Sequence, residues 1–563
     1  MAACNRRCRF LFNLFLGLSF LLFAISVSEG TARSQPSALP AAAGAAVDVE
    51  GEFVIIHEDF KHSGRYLYFL NTPSGQVPLY FNSKAPTNLL TGTHVRAHGT
   101  VDQSGTLILA SGGSVTNLSK TTPPPTTPLP NTFGAQSTLV ILVNFQDNPT
   151  NQPYTVAYAQ SVVFGTTSSF ILENSYQQTS LTGNVVGWYT IPVSSTTCDI
   201  TSIASYAQSA ASAAGVNLSS YTHYVYAFPQ NSACGFAGAS NVGGSPSQSW
   251  INGSGMEMHT VDHELGHAFG LWHSHLLDCG TSATIGSNCT INEYGDIIDT
   301  MGASQPASPQ YNAFQKERLG WLNYGTSPSI TTVQTSGTYV INAYELAGSG
   351  PNALKILKST DPITGAKTWY YVEARQALGF DAFLTNGTCE PCYTQNETDG
   401  VLVHMGTDGN GSSCDLLDMT PATQTYAWWF DPSLAVSQTF QDPTAGVTLT
   451  TTWVTSNQAA VDVQFTGSVT VATNLQSYSP GQTVSTTATA TYAGSPVANV
   501  SMSFTITKAN GNVVTSSATT GKNGTAVYNL RLSKTDPAGT YLAGAASTIK
   551  GTPHSASTDF TVQ

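Results

Sequence analysis

Eleven consecutive residues constrain this 563-residue chain more than any others: His263-Glu264-Leu265-Gly266-His267-Ala268-Phe269-Gly270-Leu271-Trp272-His273, spaced H-E-x-x-H-x-x-G-x-x-H. On a helix, residues four apart lie one turn above each other on the same face, so His263 and His267 can aim two imidazoles at one ion. Gly270 lets the chain leave the helix in a conformation that residues with a Cβ disfavour, and the turn returns His273 as a third ligand. Three imidazoles with an open fourth position suit one zinc ion. Glu264 is a poor ligand here, but it stands beside the fourth position, where it can take a proton from a bound water. The bland reading, scattered histidines on a surface helix or a histidine pair satisfied in a core, fits a lone His better than five fixed positions in eleven residues.

A second signal follows at Asp299-Thr300-Met301-Gly302, where Met301 alone would read as an ordinary core residue. Its neighbours sharpen it: Glu293-Tyr294-Gly295-Asp296-Ile297-Ile298, Asn312-Ala313-Phe314-Gln315-Lys316 and Leu319-Gly320-Trp321-Leu322 downstream of the histidines. Upstream stand Glu173-Asn174-Ser175-Tyr176 and Leu181-Thr182-Gly183-Asn184-Val185-Val186-Gly187-Trp188-Tyr189. Together these resemble the gametolysin family of secreted zinc metallopeptidases, of the metzincin clan, across residues 137–465. The resemblance implies an α+β metzincin-like catalytic domain, with a twisted sheet, a zinc-binding active-site helix and a β-rich second half. It implies one catalytic zinc on His263, His267 and His273, Glu264 as general base, and Met301 as a floor beneath the histidines. It also implies an edge strand along the cleft at Gly238, Ala239, Ser240, Asn241 and Val242, where an extended substrate peptide pairs with free backbone groups. Some metzincins carry a tyrosine just after the Met-turn methionine; Gly302-Ala303-Ser304 stands there, so no tyrosine role follows. His259, His275 and Asp278 read as polar residues at the rim of the site.

Charge excludes one class of partner. Only 9% of residues are charged and the net charge is −13, without a basic stripe, so a nucleic-acid partner is not expected. Residues 1–32 read as a signal peptide: Arg6, Arg7 and Arg9, an apolar run from Phe10 to Ile25, then Ser26, Ser28, Gly30 and Ala32. No later stretch reads as a bilayer span. The expectation is a secreted, extracellular, monomeric chain, not inserted in a membrane after signal removal, acting on a protein or peptide substrate.

The rest divides by composition. Residues 48–117 carry short runs at 54–56, 66–70, 77–81, 94–101 and 106–109, a count that suits a small all-β barrel acting as a pro-domain. This segment has no Cys, so a thiolate cannot hold a metal latent from here; latency, if the chain has it, uses another ligand or steric cover, and His57, Asp59, His62 and His98 are weak candidates for such a ligand. Residues 118–136 form a Pro/Thr-rich linker. In the catalytic stretch, Leu139-Val140-Ile141-Leu142-Val143-Asn144-Phe145 is apolar on both faces and reads as a central strand. Helices are expected near 168–176 and 203–214, and a second buried strand at 224–228. Residues 467–563, with period-two strands and Pro480-Gly481, Asn510-Gly511 and Asn523-Gly524 turns, look like an immunoglobulin-like β-sandwich.

Seven cysteines follow the signal segment, and in an exported chain disulfides are favoured over a second metal site, despite the CxxC spacing of Cys389 and Cys392. Cys279 with Cys289 would close the loop after His273, and Cys198 with Cys234 would brace the upper half. Asp408, Asp415 and Asp418 invite a Ca2+ site, although a turn fits that stretch better. Two functions stay open: a secreted zinc-dependent endopeptidase, or a surface-binding or adhesive protein whose protease domain is inactive. Zinc hydrolysis of a non-peptide amide is a third.

Overall fold

A computed structural model describes residues 44–61, 63–119, 127–302, 308–361, 363–384, 396–423 and 431–563. The expected signal peptide, His62, residues 120–126 of the Pro/Thr-rich linker and the Cys389/Cys392 pair lie outside the described residues.

The strand Gly134–Phe145 is an interior strand of its sheet, covered on both sides because both its faces are apolar. Val140 and Leu142 pack with Val163, Phe170, Val261 and Leu265, whereas Leu139, Ile141 and Val143 pack with Ile203, Ala207 and Tyr226. A strand of that kind is stable only when covered on both sides. It pairs in parallel with Thr179–Ile191 and His223–Phe228. The sheet then runs through Ser247–Asn252, parallel to His223–Phe228, to the antiparallel strand Gly238–Asn241. Helix Ile200–Ala213 closes one face and helix Met258–Ala268 the other.

That sheet does not stop at Gly238–Asn241. Ala46–Phe60 pairs antiparallel with it, from Ile56 opposite Asn241 to Asp59 opposite Gly238. The same strand pairs with Ser63–Thr72 and His94–Val101, and Gly75–Phe81 with Leu107–Leu109 completes a closed ring of five strands. One long strand therefore belongs to both the ring and the sheet that carries the site.

Beyond the histidine motif, Ser274–Asp278, Asn410–Leu417, Gly400–Thr407, Lys367–Glu373, Ala353–Thr360 and Ile330–Val333 make one sheet. Gly337–Asn342, Gln458–Phe465, Val447–Val454 and Thr439–Asp442 make another, and the two share a core with Ile356, Val372, Val403, Leu449 and Val461. From Gly467 onward two more sheets close over Val469, Phe504 and Ala545 at one end and Ile506, Tyr541 and Phe560 at the other.

The expected α+β class is corrected by this count of elements. Strands make up 46% of the described residues and helices 14%. The longest α-helix among the described residues has 14 residues, and none occurs after Leu319. The physical reason is the composition of the second half: β-branched and aromatic residues alternate with Ser, Thr and Asn, and such side chains fit a pleated, half-buried surface better than a helix.

Disulfides Cys198–Cys234 and Cys279–Cys289 are both formed. Cys414 is a buried free thiol that accepts from Asn312 Nδ2 at 2.9 Å. The acids of the calcium candidate turn to different partners: Asp408 accepts from Trp369 Nε1 at 2.9 Å, Asp418 from Thr420 N at 2.8 Å, and Asp415 faces His275 at 3.4 Å. No helix among the described residues is long and apolar enough to cross a membrane.

If Gly134–Phe145 is the central strand, Ile141→Ala lowers unfolding free energy by about 2–5 kcal/mol in denaturant titrations. An unchanged midpoint would contradict its place in the core.

Candidate metal centre

Helix Met258–Ala268 starts at Glu257, whose carboxylate accepts from His259 N at 3.1 Å and Thr260 N at 3.0 Å. Val261, Leu265 and Ala268 anchor it in the core, which leaves His263, Glu264 and His267 on the opposite face. The helix ends at Gly270, at φ +100°, with Gly270 N bonded to His267 O (2.8 Å) and Leu271 N to Gly266 O (3.0 Å). This left-handed exit reverses the chain and delivers His273. The ring centroids of His263, His267 and His273 are 4.9, 5.0 and 5.2 Å apart, and all three residues are buried.

The Nδ1 atoms of these histidines all face acceptors. His263 Nδ1 is 2.7 Å from Thr300 O, His267 Nδ1 2.9 Å from Leu271 O, and His273 Nδ1 2.9 Å from Glu293 Oε1. Carbonyls and carboxylates only accept, so each Nδ1 carries the hydrogen and each Nε2 presents a lone pair to the same point. Outer partners of this kind orient metal-ligating imidazoles. The Nε2 atoms of His263 and His267 are buried without a hydrogen-bond partner. The residues thus fit a zinc ion.

Met301 lies directly under the helix: a Cβ on Gly266 would overlap Met301 Sδ. Its turn is held by Asp299, which accepts from Met301 N at 2.6 Å and from Asn312 N at 2.6 Å, and Thr300 in that turn supplies the carbonyl for His263. The expected edge strand Gly238–Asn241 runs past Glu264 so closely that a Cβ on Gly238 would overlap Glu264 Oε1. Val242 falls just past the strand, bonded to Ile55 O at 3.0 Å. Both Glu264 oxygens are buried without a hydrogen-bond partner, and burial followed by the neighbouring Asp59 charge pushes this carboxyl well above the usual range.

Asp59 is the residue that sequence reasoning ranked only among four alternatives. Its carboxylate lies 3.1 Å from His273 Nε2, 3.3 Å from His263 Nε2 and 3.6 Å from His267 Nε2. His57 comes with it, Nδ1 at 2.9 Å from Asp59 Oδ2, because residues two apart on a strand share a face. His57, Asp59, His267 and His273 all offer ligand atoms within 4.8 Å of one another. His98 is elsewhere, exposed and 3.0 Å from Asp48. Tyr294 also went unassigned, and its hydroxyl donates to Asp59 Oδ1 at 2.8 Å. Burial lowers the His267 imidazole to about 3. Of the rim candidates, His259 is buried with its ring centroid 6.2 Å from that of His263, and His275 lies between Glu293 (3.6 Å) and Asp415 (3.4 Å). Asp278 accepts from Gly280 N at 2.8 Å.

The turn rests on a closed polar network. Buried Arg375 bridges Glu373 (2.8 Å), Asp381 (2.7 Å) and the Gln310 carbonyl (2.9 Å). Lys316 donates to Gln310 Oε1 at 2.5 Å and sits over the rings of Tyr176 and Tyr344 at 4.4 and 4.2 Å. Burial, then the Arg375 charge, lowers Lys316 from 10.5 to about 7. Between those values the unfolded chain binds the extra proton, so this group makes stability rise with pH by at most about 1.4 kcal/mol per unit. Denaturant titrations at pH 7 and 9.5 should show the wild type gaining on Lys316→Met as pH rises; parallel changes would refute the lowered value.

Residues 154–390 match the family Gametolysin peptidase M11. No curated protein matches the chain. Among solved structures, a tetra-tandem repeat from the extending region of a large adhesion protein is 15% identical over 37% of this chain and 48% of that one, with a TM-score of 0.16. Spo0M, a sporulation control protein from Bacillus subtilis, is 14% identical over 17% of this chain and 49% of its own, at 0.12. Dimeric latent PorU from Porphyromonas gingivalis is 12% identical over 37% and 20%, at 0.16. The chain thus spans about half the length of the first two, and likenesses this weak carry neither fold nor activity across. The family match covers the helix, the three histidines and Met301, and makes residues 154–390 a gametolysin-like metallopeptidase region.

Proposed function

We propose that this chain is a secreted zinc endopeptidase of the metzincin type, hydrolysing peptide bonds of extracellular proteins with Glu264 as general base. The observation that carries the reading is the convergence of three imidazole lone pairs on one buried point beside the Glu264 carboxylate. His263, His267 and His273 would hold the ion. Zinc in that place supplies a Lewis acid and lowers the pKa of its water to about 7. Glu264 accepts the proton of the attacking water at a carboxylate oxygen and returns it to the leaving amine. Tyr294, whose hydroxyl reaches the place now taken by Asp59 Oδ1, is positioned to donate to the carbonyl oxygen as it gains charge. The strand Gly238–Asn241 offers backbone pairing to an extended peptide once its present neighbour has left. Export is supported by the basic and apolar leader and by two disulfides, which persist in oxidising compartments.

The test uses the full chain after brief trypsin treatment and quenching, since Lys120 is the one Lys or Arg between residues 118 and 136. Glu264→Ala should lose cleavage of an unfolded protein by about 10²–10⁴-fold while keeping one zinc per chain. Tyr294→Phe should lower kcat by about 10²–10³-fold with little change in KM. Zinc-loaded chain that cuts no unfolded protein after the nicked N-terminal ring has been dissociated and separated from it would defeat the endopeptidase reading and favour an adhesive role.

A further inference from the structure

We propose that Asp59 is a fourth ligand to the metal, and that Ala46–Phe60 is an internal occupant of the substrate edge, so the chain is held latent by a carboxylate of its own N-terminal ring. The inference rests on reading His263, His267 and His273 as a zinc site, and deepens it.

Three observations carry it. The first is the chemistry of the contact. With every Nδ1 hydrogen already given to an acceptor, the Nε2 atoms of His263, His267 and His273 turn lone pairs toward a carboxylate that can only accept. Acceptors do not gather around a buried point unless a cation sits among them. The second is spacing. Tetrahedral ligands at about 2.0–2.2 Å from a zinc ion lie about 3.3–3.6 Å from one another. Asp59 oxygens lie 3.1, 3.3 and 3.6 Å from the three Nε2 atoms. The third is the backbone. Ala237 N donates to Asp59 O at 3.0 Å and Val242 N to Ile55 O at 3.0 Å, so the groups that would hold a substrate are taken by residues 55–59.

The neighbours of Asp59 fit the role. His57 Nδ1 and the Tyr294 hydroxyl hold the carboxylate at 2.9 and 2.8 Å and fix its direction. Glu58, on the other face of the strand, bonds instead to Arg65 Nε at 2.7 Å. Asp59 stands against Glu264, so it excludes the water that Glu264 would deprotonate and also occupies the donor needed by the substrate carbonyl.

The test loads the full chain with cobalt(II) in place of zinc and follows the visible absorption during titration with acetohydroxamate, an external bidentate ligand. The wild type should show no change up to millimolar hydroxamate, whereas Asp59→Asn and Asp59→Ala should start from a different spectrum and bind it. Zinc affinity, measured by competition with a chelator, should fall about 10–100-fold in both variants. Wild type that binds hydroxamate as readily as the variants, or spectra that do not move on substitution, would overturn the proposal. Should neither variant fold, the wild-type titration alone decides. Absence of metal in every form would remove the zinc site and this proposal together. A ligand effect at Asp59 without peptide cleavage by either variant, even after the nicked ring has been separated, would leave the ligand standing and remove the peptidase reading.

Discussion

Four groups that can only accept a hydrogen bond are turned toward one buried point, and the surrounding structure is arranged to keep them there. In a low-dielectric interior an unpaired acceptor costs several kcal/mol, so such a cluster is stable only around positive charge. Each supporting element contributes one constraint. The Met301 turn provides the Thr300 carbonyl for His263, the Gly270 exit provides the Leu271 carbonyl for His267, and Glu293 provides the carboxylate for His273. Removing any of these would free an imidazole to rotate or change tautomer before it altered the fold. The polar network of Asp299, Asn312, Arg375 and Lys316 matters for the same reason: it fixes the turn that fixes His263.

What could be read in the sequence was what local periodicity encodes. Residues four apart on a helix must share a face, so His263 and His267 announced themselves, and Gly270 marked the exit. The double-sided apolar run at 139–145 announced a central strand for an equally local reason. Asp59 and Tyr294 gave no such signal. Asp59 meets His273 across 214 residues and Tyr294 across 235, and no local pattern encodes a contact at that range. The alternation His57-Glu58-Asp59 held a clue, since it places two metal-competent side chains on one face of a strand, but nothing in it says which face turns to the site. The α+β expectation failed because it carried over a class with the resemblance, while the alternating second half of this chain was already describing sheets.

The ring explains why a whole folded unit, rather than a short tail, accompanies the carboxylate. A slip of one residue along Gly238–Asn241 would turn Asp59 away and bring Glu58 to the metal side. Register is therefore the quantity to be protected. It is fixed twice, by the pairing of Ala46–Glu52 with His94–Thr100 and by the pairing of Glu52–Phe60 with Ser63–Asn71. The crossover between these partners falls at Gly51, where a Cβ would lie 2.6 Å from Asn71 O. A strand clamped in a closed ring arrives at the edge with one alignment available to it.

The same clamp determines what release demands. While the ring is tethered through residues 118–136, its effective concentration at the edge is of millimolar order, and a strand that lifts off returns at once. Cutting the tether removes that advantage without breaking a single bond between Ala46–Phe60 and Gly238–Asn241. The ring would then stay bound until dilution falls below its own dissociation constant, or until a second cut destroys its shape. A cut in the Phe60–Ser63 turn acts differently, because it frees the end of the strand that carries Asp59 while the ring remains in place. Linker and turn are thus two separate points of control, one acting on concentration and the other on the ligand itself.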